Sequence, residues 1–327
     1  MDTTILLASV ISSAAPIIFA TLGETFTERA GIVNLSLDGT ILLSAMVGFV
    51  VAYNTHNLIL AFLASGLTGA AVASIVAIGS LFYGLSQVAI GFVLTLTCRD
   101  LAYFLGNAYT RLPGPQVKHL AIPLLKDLPF IGPVFFNHNL VVYLSYVLII
   151  FSWYYFYKTK AGLILRACGE NPVAAYSRGI NVKLHQLAYT LWGGFWVGLS
   201  GASYSLLFKP GWGRPQGAEG IGWIALAIVI FGGWDPLKVA LGTYFFAFLQ
   251  LVGILLQSSY PQIPSQVFQV APFPLMILML VIMHISSQKT AKLDPQPQHL
   301  SPIQRLLRFL KTTPPAALGS NVHTKEF

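Results

Sequence analysis

Residues 57–83 read NLILAFLASGLTGAAVASIVAIGSLFY, a run of 27 residues without a single charge. A helix rises 1.5 Å per residue, so about 20 mostly apolar residues cross the ~30 Å hydrocarbon core of a bilayer. In water such a run has no polar face to show. Only lipid, or the inside of a helical bundle, accommodates it, and this one stretch decides the fold class. Working outward, runs of similar character lie at 4–22, 32–53, 86–108, 139–157, 185–207, 219–232, 237–257 and 270–285. The expectation is an all-α polytopic transmembrane bundle of about nine spans. Span seven is short, and Gly232, Gly233 and Pro236 separate it from the eighth. A broken or re-entrant helix pair is therefore expected near 219–257, with its freed backbone covered by protein or a water-filled cavity.

The composition agrees. Of 327 residues, 55% are hydrophobic and 9% charged, against about 25% charged in an ordinary soluble domain. Mean hydropathy is +0.69. A soluble enzyme, a disordered chain and a nucleic-acid-binding domain are poor readings of these values. The net charge of +8 has a different use in a membrane protein, because Lys and Arg gather on the cytoplasmic side. Lys158, Lys160, Arg166, Arg178 and Lys183 crowd one loop, and Lys289, Lys292, Arg305, Arg308, Lys311 and Lys325 the tail. With both inside, the N-terminus lies outside and the C-terminus inside. Thirteen of the 19 basic residues then face the cytoplasm. The expected organisation is a transmembrane domain over 1–285, with an external loop at 109–138 and a cytoplasmic loop at 158–183, followed by a basic tail at 286–327. Ile303, Leu306, Leu307 and Leu310 repeat at helical spacing in that tail, as in an amphipathic helix on a membrane surface.

Several chemistries are missing from the sequence. There is no G-x-x-x-x-G-K-[ST] to cradle ATP phosphates, no Cys or His cluster at metal-ligand spacing, and no G-x-S-x-G. The chain is not expected to be an enzyme in its own right, nor to hold a cofactor or metal of its own. Energy for uphill movement must come from another subunit or from an ion gradient.

Two polar segments interrupt the apolar pattern. In the loop, Asn171 can cap a helix that opens on Pro172, and Gly179 can end it in a left-handed turn. A short rigid rod results, suited to passing force from a bound partner into the bundle. Nearer the N-terminus, Gly23-Glu24-Thr25-Phe26-Thr27-Glu28-Arg29-Ala30-Gly31-Ile32-Val33-Asn34-Leu35-Ser36-Leu37-Asp38-Gly39 places several ionisable groups beside apolar runs. Burying them costs several kcal/mol each unless they pair, so an ion pair of Glu24 or Glu28 with Arg29 is expected.

The 23–39 block resembles G-E-x-x-x-E-R-x-G-x-x-N-L-x-x-[ED]-G, a signature of the permease subunits of nucleoside and simple-sugar ABC importers. The 169–179 block resembles their G-E-N-P-x-A-A-x-x-x-G coupling helix. The resemblance covers roughly 20–285. It implies that Glu170, Asn171, Pro172, Ala174, Ala175 and Gly179 seat in a cytoplasmic ABC ATPase, and that ATP is held by that partner. It implies that Glu24, Glu28, Arg29, Gly31, Asn34 and Asp38 form a structural and gating element. It also implies a second permease subunit, identical or homologous, and an extracellular or periplasmic solute-binding protein that delivers a nucleoside or sugar. The chain departs from the pattern at Asp38, where Glu is usual, and at Arg99-Asp100 inside the fourth span.

A charge near the bilayer centre costs at least about 2.5–3.5 kcal/mol. Arg99 and Asp100 are therefore candidates for a translocation path, together with Glu219 and Asp235, which bracket the short seventh span. Trp212, Trp223, Trp234 and Tyr204 are candidate stacking surfaces for a ring-shaped solute. The functional expectation is an importer permease driven by a separate ATPase. The alternative is a self-contained secondary transporter or channel, with Arg99, Asp100, Glu219 and Asp235 as its ion path.

Overall fold

The computed structural model describes residues 3–260 and 313–320, with isolated positions at 262, 274, 278 and 281. Eleven α-helices occupy the first of these stretches. They are α1 (Thr3–Arg29), α2 (Leu37–Thr55), α3 (Leu58–Leu81), α4 (Gln87–Gly106), α5 (Ile131–Phe135), α6 (Leu140–Lys158), α7 (Lys160–Glu170), α8 (Pro172–Ser177), α9 (Val182–Ser203), α10 (Ile221–Phe231) and α11 (Pro236–Ser259). Among the described residues the only β pairing is one isolated bridge, His119 to Asn139. The all-α bundle expected from the sequence is what forms.

Short polar side chains set where the helices start. Asn57 accepts from the backbone N–H of Ile59 at 2.9 Å and of Leu60 at 3.2 Å. Asn139 caps α6 through Val142 N, Asn181 caps α9 through Leu184 N, and Asp235 caps α11 through Leu237 N and Lys238 N. Each accepts a bond from an N–H that the helix itself cannot satisfy.

Six helices are long and apolar enough to cross a bilayer: α1, α2, α3, α4 with its 3₁₀ extension to Tyr109, α6 and α11. At 22 residues α9 is also long enough, about 33 Å. It is less apolar because protein, not lipid, surrounds it. It packs against α1, α2 and α3 at once. Gly193 meets the Gly23 carbonyl of α1, Gly198 meets Ser65 of α3, and Gly201 meets Ile41 of α2, so closely that a Cβ would overlap each of them. Where apolar solvent gives no drive to associate, such close approach of small residues is what holds helices together.

One end of the bundle gathers the 30–36 turn, the start of α4, and α7 to α8. Val33 N donates to Gln87 Oε1, and Gln186 Nε2, in the first turns of α9, donates to Ala30 O. The other end gathers residues 107–139 and 204–217. There Arg111 N donates to Trp212 O at 3.0 Å and Val117 N to Leu206 O at 2.9 Å. Within the expected external loop at 109–138 the chain forms one short α-helix, α5.

The structure changes three boundaries and one pairing. α1 runs on to Arg29, so Gly23 to Arg29 form its last two turns rather than a polar edge before the second span. α7 is a full helix where only a basic loop was expected. α9 ends in a five-residue π-turn, Tyr204–Phe208, a local form concentrated at functional sites. The expected helix pair near 219–257 is asymmetric: α10 is short, 11 residues or about 16 Å, whereas α11 has 24 residues and a full span. α10 starts at the depth of Asp38, and the turn that follows it reaches Arg29 through Trp234 O. The other half of that crossing is irregular chain through residues 209–220. Seven long helices and this broken crossing make eight among the described residues. The ninth expected segment, 270–285, apart from the isolated positions 274, 278 and 281, lies outside the described residues, as do the amphipathic repeat at 303–310 and most of the 286–327 tail.

Candidate functional site

The rod in the 158–183 loop forms as its residues dictate. Asn171 Oδ1 accepts from Ala174 N at 2.9 Å, and Pro172 opens α8. At the far end Gly179 has φ of +80°, Gly179 N donates to Tyr176 O at 2.8 Å, and Ile180 N donates to Ala175 O at 3.2 Å. This is a complete Schellman cap, with Ala175 and Ile180 in the accompanying apolar contact. Ala175 packs with Cys168 and Val182, which seats α8 on α7 and on the start of α9. Burial pushes the Cys168 thiol up to about 11, so it acts here as an inert packing residue. Val173, Ala174 and Tyr176 point outward and are exposed.

Behind the rod lies a chain of polar contacts into the bundle. Arg29 Nη1 pairs with Glu170 Oε1 at 3.1 Å, and Arg29 Nε donates to Trp234 O at 3.0 Å. Trp234 Nε1 donates to Glu28 Oε2, and both side chains are buried. This corrects the expected ion pair. Residues 24, 28 and 29 share one helix, but Arg29 reaches out to Glu170 while Glu28 turns inward to the indole. Glu24 Oε1 accepts from Asn34 N at 3.2 Å, and Asn34 Oδ1 accepts from Ser36 Oγ at 2.6 Å and Ser36 N at 3.1 Å. Gly31 takes φ of +101° to make the turn. Asp38 Oδ1 accepts from Gly222 N at 3.1 Å, tying α2 to the start of α10. All six residues of the N-terminal block are thus internal wiring, joining α1 to α2, α7, α10 and the turn before α11.

A second polar cluster sits halfway along the bundle. Gly39 abuts Thr95 of α4, which places Asp38 about 12 Å from the start of that helix. Arg99 and Asp100 lie one turn further on and pair at 3.3 Å from Nε to Oδ1. Glu219 is next to them in depth. It accepts from Tyr103 OH, from Gln216 N at 2.7 Å and from Gly217 N at 2.6 Å. Arg214 lies over the Tyr103 ring at 4.9 Å, and the Tyr103 ring packs against Trp212 at 5.6 Å, tilted by 35°. Arg99, Asp100 and Glu219 therefore share one region. Asp235 does not belong to it. It caps α11 at the end that carries α8 and accepts from Tyr157 OH at 2.6 Å.

The side chains of Arg99 and Asp100 are 42% and 74% exposed, mid-helix, on a face flanked by Phe92, Val93, Leu96 and Phe104. A charge pair at that depth cannot face hydrocarbon cheaply. Of the candidate stacking residues, Trp212, Trp234 and Tyr204 are buried in the core and only Trp223 is exposed. Sequence reasoning missed Trp234 as a hydrogen-bond donor, along with Tyr103 and Gln186. For Trp234 the Gly-Gly-Trp-Asp-Pro turn was the available signal, since a Trp in a tight turn beside buried acids has an N–H to place.

A multi-pass helical bundle with a broken span, mid-depth charges and a capped rod at its basic end is a membrane transport subunit of the permease class. The chain belongs to the branched-chain amino acid transport system permease component family, whose sequence profile matches residues 6–282. It is similar to the nucleoside ABC transporter permease protein NupC of Lactococcus lactis, with 32% identity over 85% of this chain and 92% of that one. It is 30% identical to the guanosine ABC transporter permease protein NupQ of Bacillus subtilis, over 85% and 91%. A Haloferax volcanii protein provisionally named glucose ABC transporter permease protein TsgC13 is 34% identical over 77% and 78%. No solved structure matches the chain.

Proposed function

We propose that this permease imports a nucleoside or a related simple sugar, powered by a separate ABC ATPase that seats on α8. The names of the relatives support the solute class. The observation that carries the drive mechanism is the rod itself: a helix capped at both ends, with Val173, Ala174 and Tyr176 exposed, and joined through Glu170, Arg29, Trp234 and Glu28 to the broken crossing. A push on α8 has a direct route to α1 and α10. In this reading Asn171, Pro172, Ala174, Ala175 and Gly179 form the coupling helix, and Glu170 is its anchor. The end bearing α7 and α8 faces the cytoplasm, the N-terminus lies outside and the C-terminus inside. The 107–139 and 204–217 segments face an external solute-binding protein.

The exposed Arg99-Asp100 face of α4 meets a second permease subunit across a water-filled path, with Glu219 alongside. Such an interface removes the cost of leaving both charges against lipid. Selectivity rests chiefly with the external receptor. The test is uptake of guanosine and of glucose by cells expressing the chain with its ATPase and receptor. ATP-dependent uptake, abolished by Glu170→Lys with membrane insertion intact, is the expected result. Uptake that persists without an ATPase and stops when the ion gradient is collapsed would refute the reading in favour of a secondary transporter.

A further inference from the structure

Residues 313–320, TPPAALGS, return to the bundle at the point where the rod is anchored. Ala317 N donates to Gly169 O at 2.9 Å, at the end of α7. Ala316 N donates to Glu170 Oε2 at 3.2 Å, so Glu170 serves Arg29 with one oxygen and the tail with the other. On the opposite side Gly319 N donates to Gly31 O at 3.0 Å, in the turn between α1 and α2. Leu318 packs on the main apolar core and Pro315 is buried. The segment is also stiff. Leu318 N bonds Pro315 O at 3.0 Å, Ser320 N bonds Ala317 O at 3.1 Å, and Gly319 takes φ of +73° where other residues are strained. One short turn thus bridges two elements more than 130 residues apart in the chain.

We propose that residues 313–320 are a positioning strap for energy transfer: they fasten the end of α7 to the α1–α2 turn, so that α8, α1 and the turn before α11 move as one body. The salt bridge alone is too weak for that task. Glu170 is 48% exposed in its side chain, and exposed pairs contribute little. The backbone bonds of the strap supply the rigidity that the ion pair lacks. The proposal rests on the reading of α8 as the seat of an ATPase.

The experiment uses the complete transporter, reconstituted with its ATPase and solute receptor, and guanosine as the probe. The chain is cut after residue 312, or carries Ala317→Pro, which removes the N–H given to Gly169 O. Ala317→Ser keeps that N–H and is the control. Expected in both altered proteins is about tenfold faster amide exchange in peptides covering 29–33 and 166–171, as local opening becomes easier. ATP hydrolysis is retained, while guanosine moved per ATP falls about fivefold or more, the usual range for a lost coupling between sites. Ala317→Ser behaves as the unaltered chain. Unchanged exchange overturns the proposal, and so does faster exchange with unchanged guanosine per ATP, because the segment would then be a tether only. Uptake by the unaltered chain that ignores ATP overturns the importer reading and the strap with it, whereas ATP-driven uptake indifferent to both alterations overturns the strap alone.

Discussion

Trp234→Phe isolates the bond that holds the turn before α11 to α1. The substitution keeps an aromatic ring in a buried seat and removes only the indole N–H that reaches Glu28 Oε2. Trp234 is the one donor to the Glu28 carboxyl among the described hydrogen bonds, and Glu28 is 4% exposed. A buried acceptor left without its donor costs about 1–3 kcal/mol, roughly a five- to hundredfold shift in an equilibrium. The same principle predicts the compensation. Trp234→Phe with Glu28→Leu removes both partners, and stability should return to within about 1 kcal/mol of the starting protein. Unfolding of the protein in mixed micelles by sodium dodecyl sulfate, followed by circular dichroism, measures both. Circular dichroism is chosen because one fluorophore is lost. If Trp234→Phe costs under about 0.5 kcal/mol, or if the double variant is worse than the single by the full cost of each, the bond does not join these elements and the route from α8 to α10 fails.

Other outcomes follow from particular residues. Gly198→Val drives a branched side chain into the Ser65 carbonyl of α3 and should destabilise the bundle by about 1–3 kcal/mol, read in the same unfolding assay. Gly179→Val forces a β-branched residue to φ of +80° at the end of α8; ATP-driven uptake should be lost while insertion stays normal, and normal uptake would count against α8 as the coupling element. Replacing Arg99 and Asp100 together by Gly should change the uptake rates of a nucleoside and sugar panel, and an unaltered profile would remove them from the path. In the 107–139 segment, burial holds His138 below its ordinary pKa, with the bond to Val134 O opposing and His119 adding to the shift. The folded form thus prefers the neutral ring, so this contribution is complete above the ordinary histidine value and is lost as pH falls below it. Protection of the amides around 119–139, taken relative to the intrinsic exchange rate at each pH, should fall between about pH 7 and pH 5, and His138→Gln should flatten that response.

Much of the fold was legible because span length, caps and turns are local physics. Residues 57–83 announce a spanning helix by length alone, and Asn171, Pro172 and Gly179 determine their rod without tertiary help. What stayed hidden depended on partners far away in sequence. The end of α1 reads as a polar edge because Glu24 and Glu28 look too costly for a helix in a membrane; Asn34 and Trp234, 10 and 206 residues away, make them affordable. The pairing of Arg29 with Glu170 was out of reach for the same reason, since three acids compete on paper and only packing chooses. α9 reads as an ordinary span, yet its glycines make it the shared wall of three helices. Asp235 was grouped with the mid-depth charges because it borders the short span, but a cap belongs to the helix it starts, and α11 starts at the far end from Glu219.

The break in the seventh crossing and the exposed pair on α4 are two sides of one constraint. An unbroken helix there would satisfy its own backbone and leave nothing for Asp38 or Glu219 to do. Because α10 starts only halfway, its first N–H groups need an acceptor, and Asp38 supplies one. The irregular chain before it likewise needs acceptors, and Glu219 takes Gln216 N and Gly217 N. Polar groups are therefore concentrated at mid-depth by backbone requirements alone, next to the α4 turn that carries Arg99 and Asp100. Irregular backbone at that depth persists only where protein or water covers it. Asp38 and Glu219 cover the broken backbone from within the chain, which leaves the Arg99–Asp100 pair as the group that lipid would meet at high cost; the proposed function accordingly turns this face of α4 toward a second subunit and a wet path.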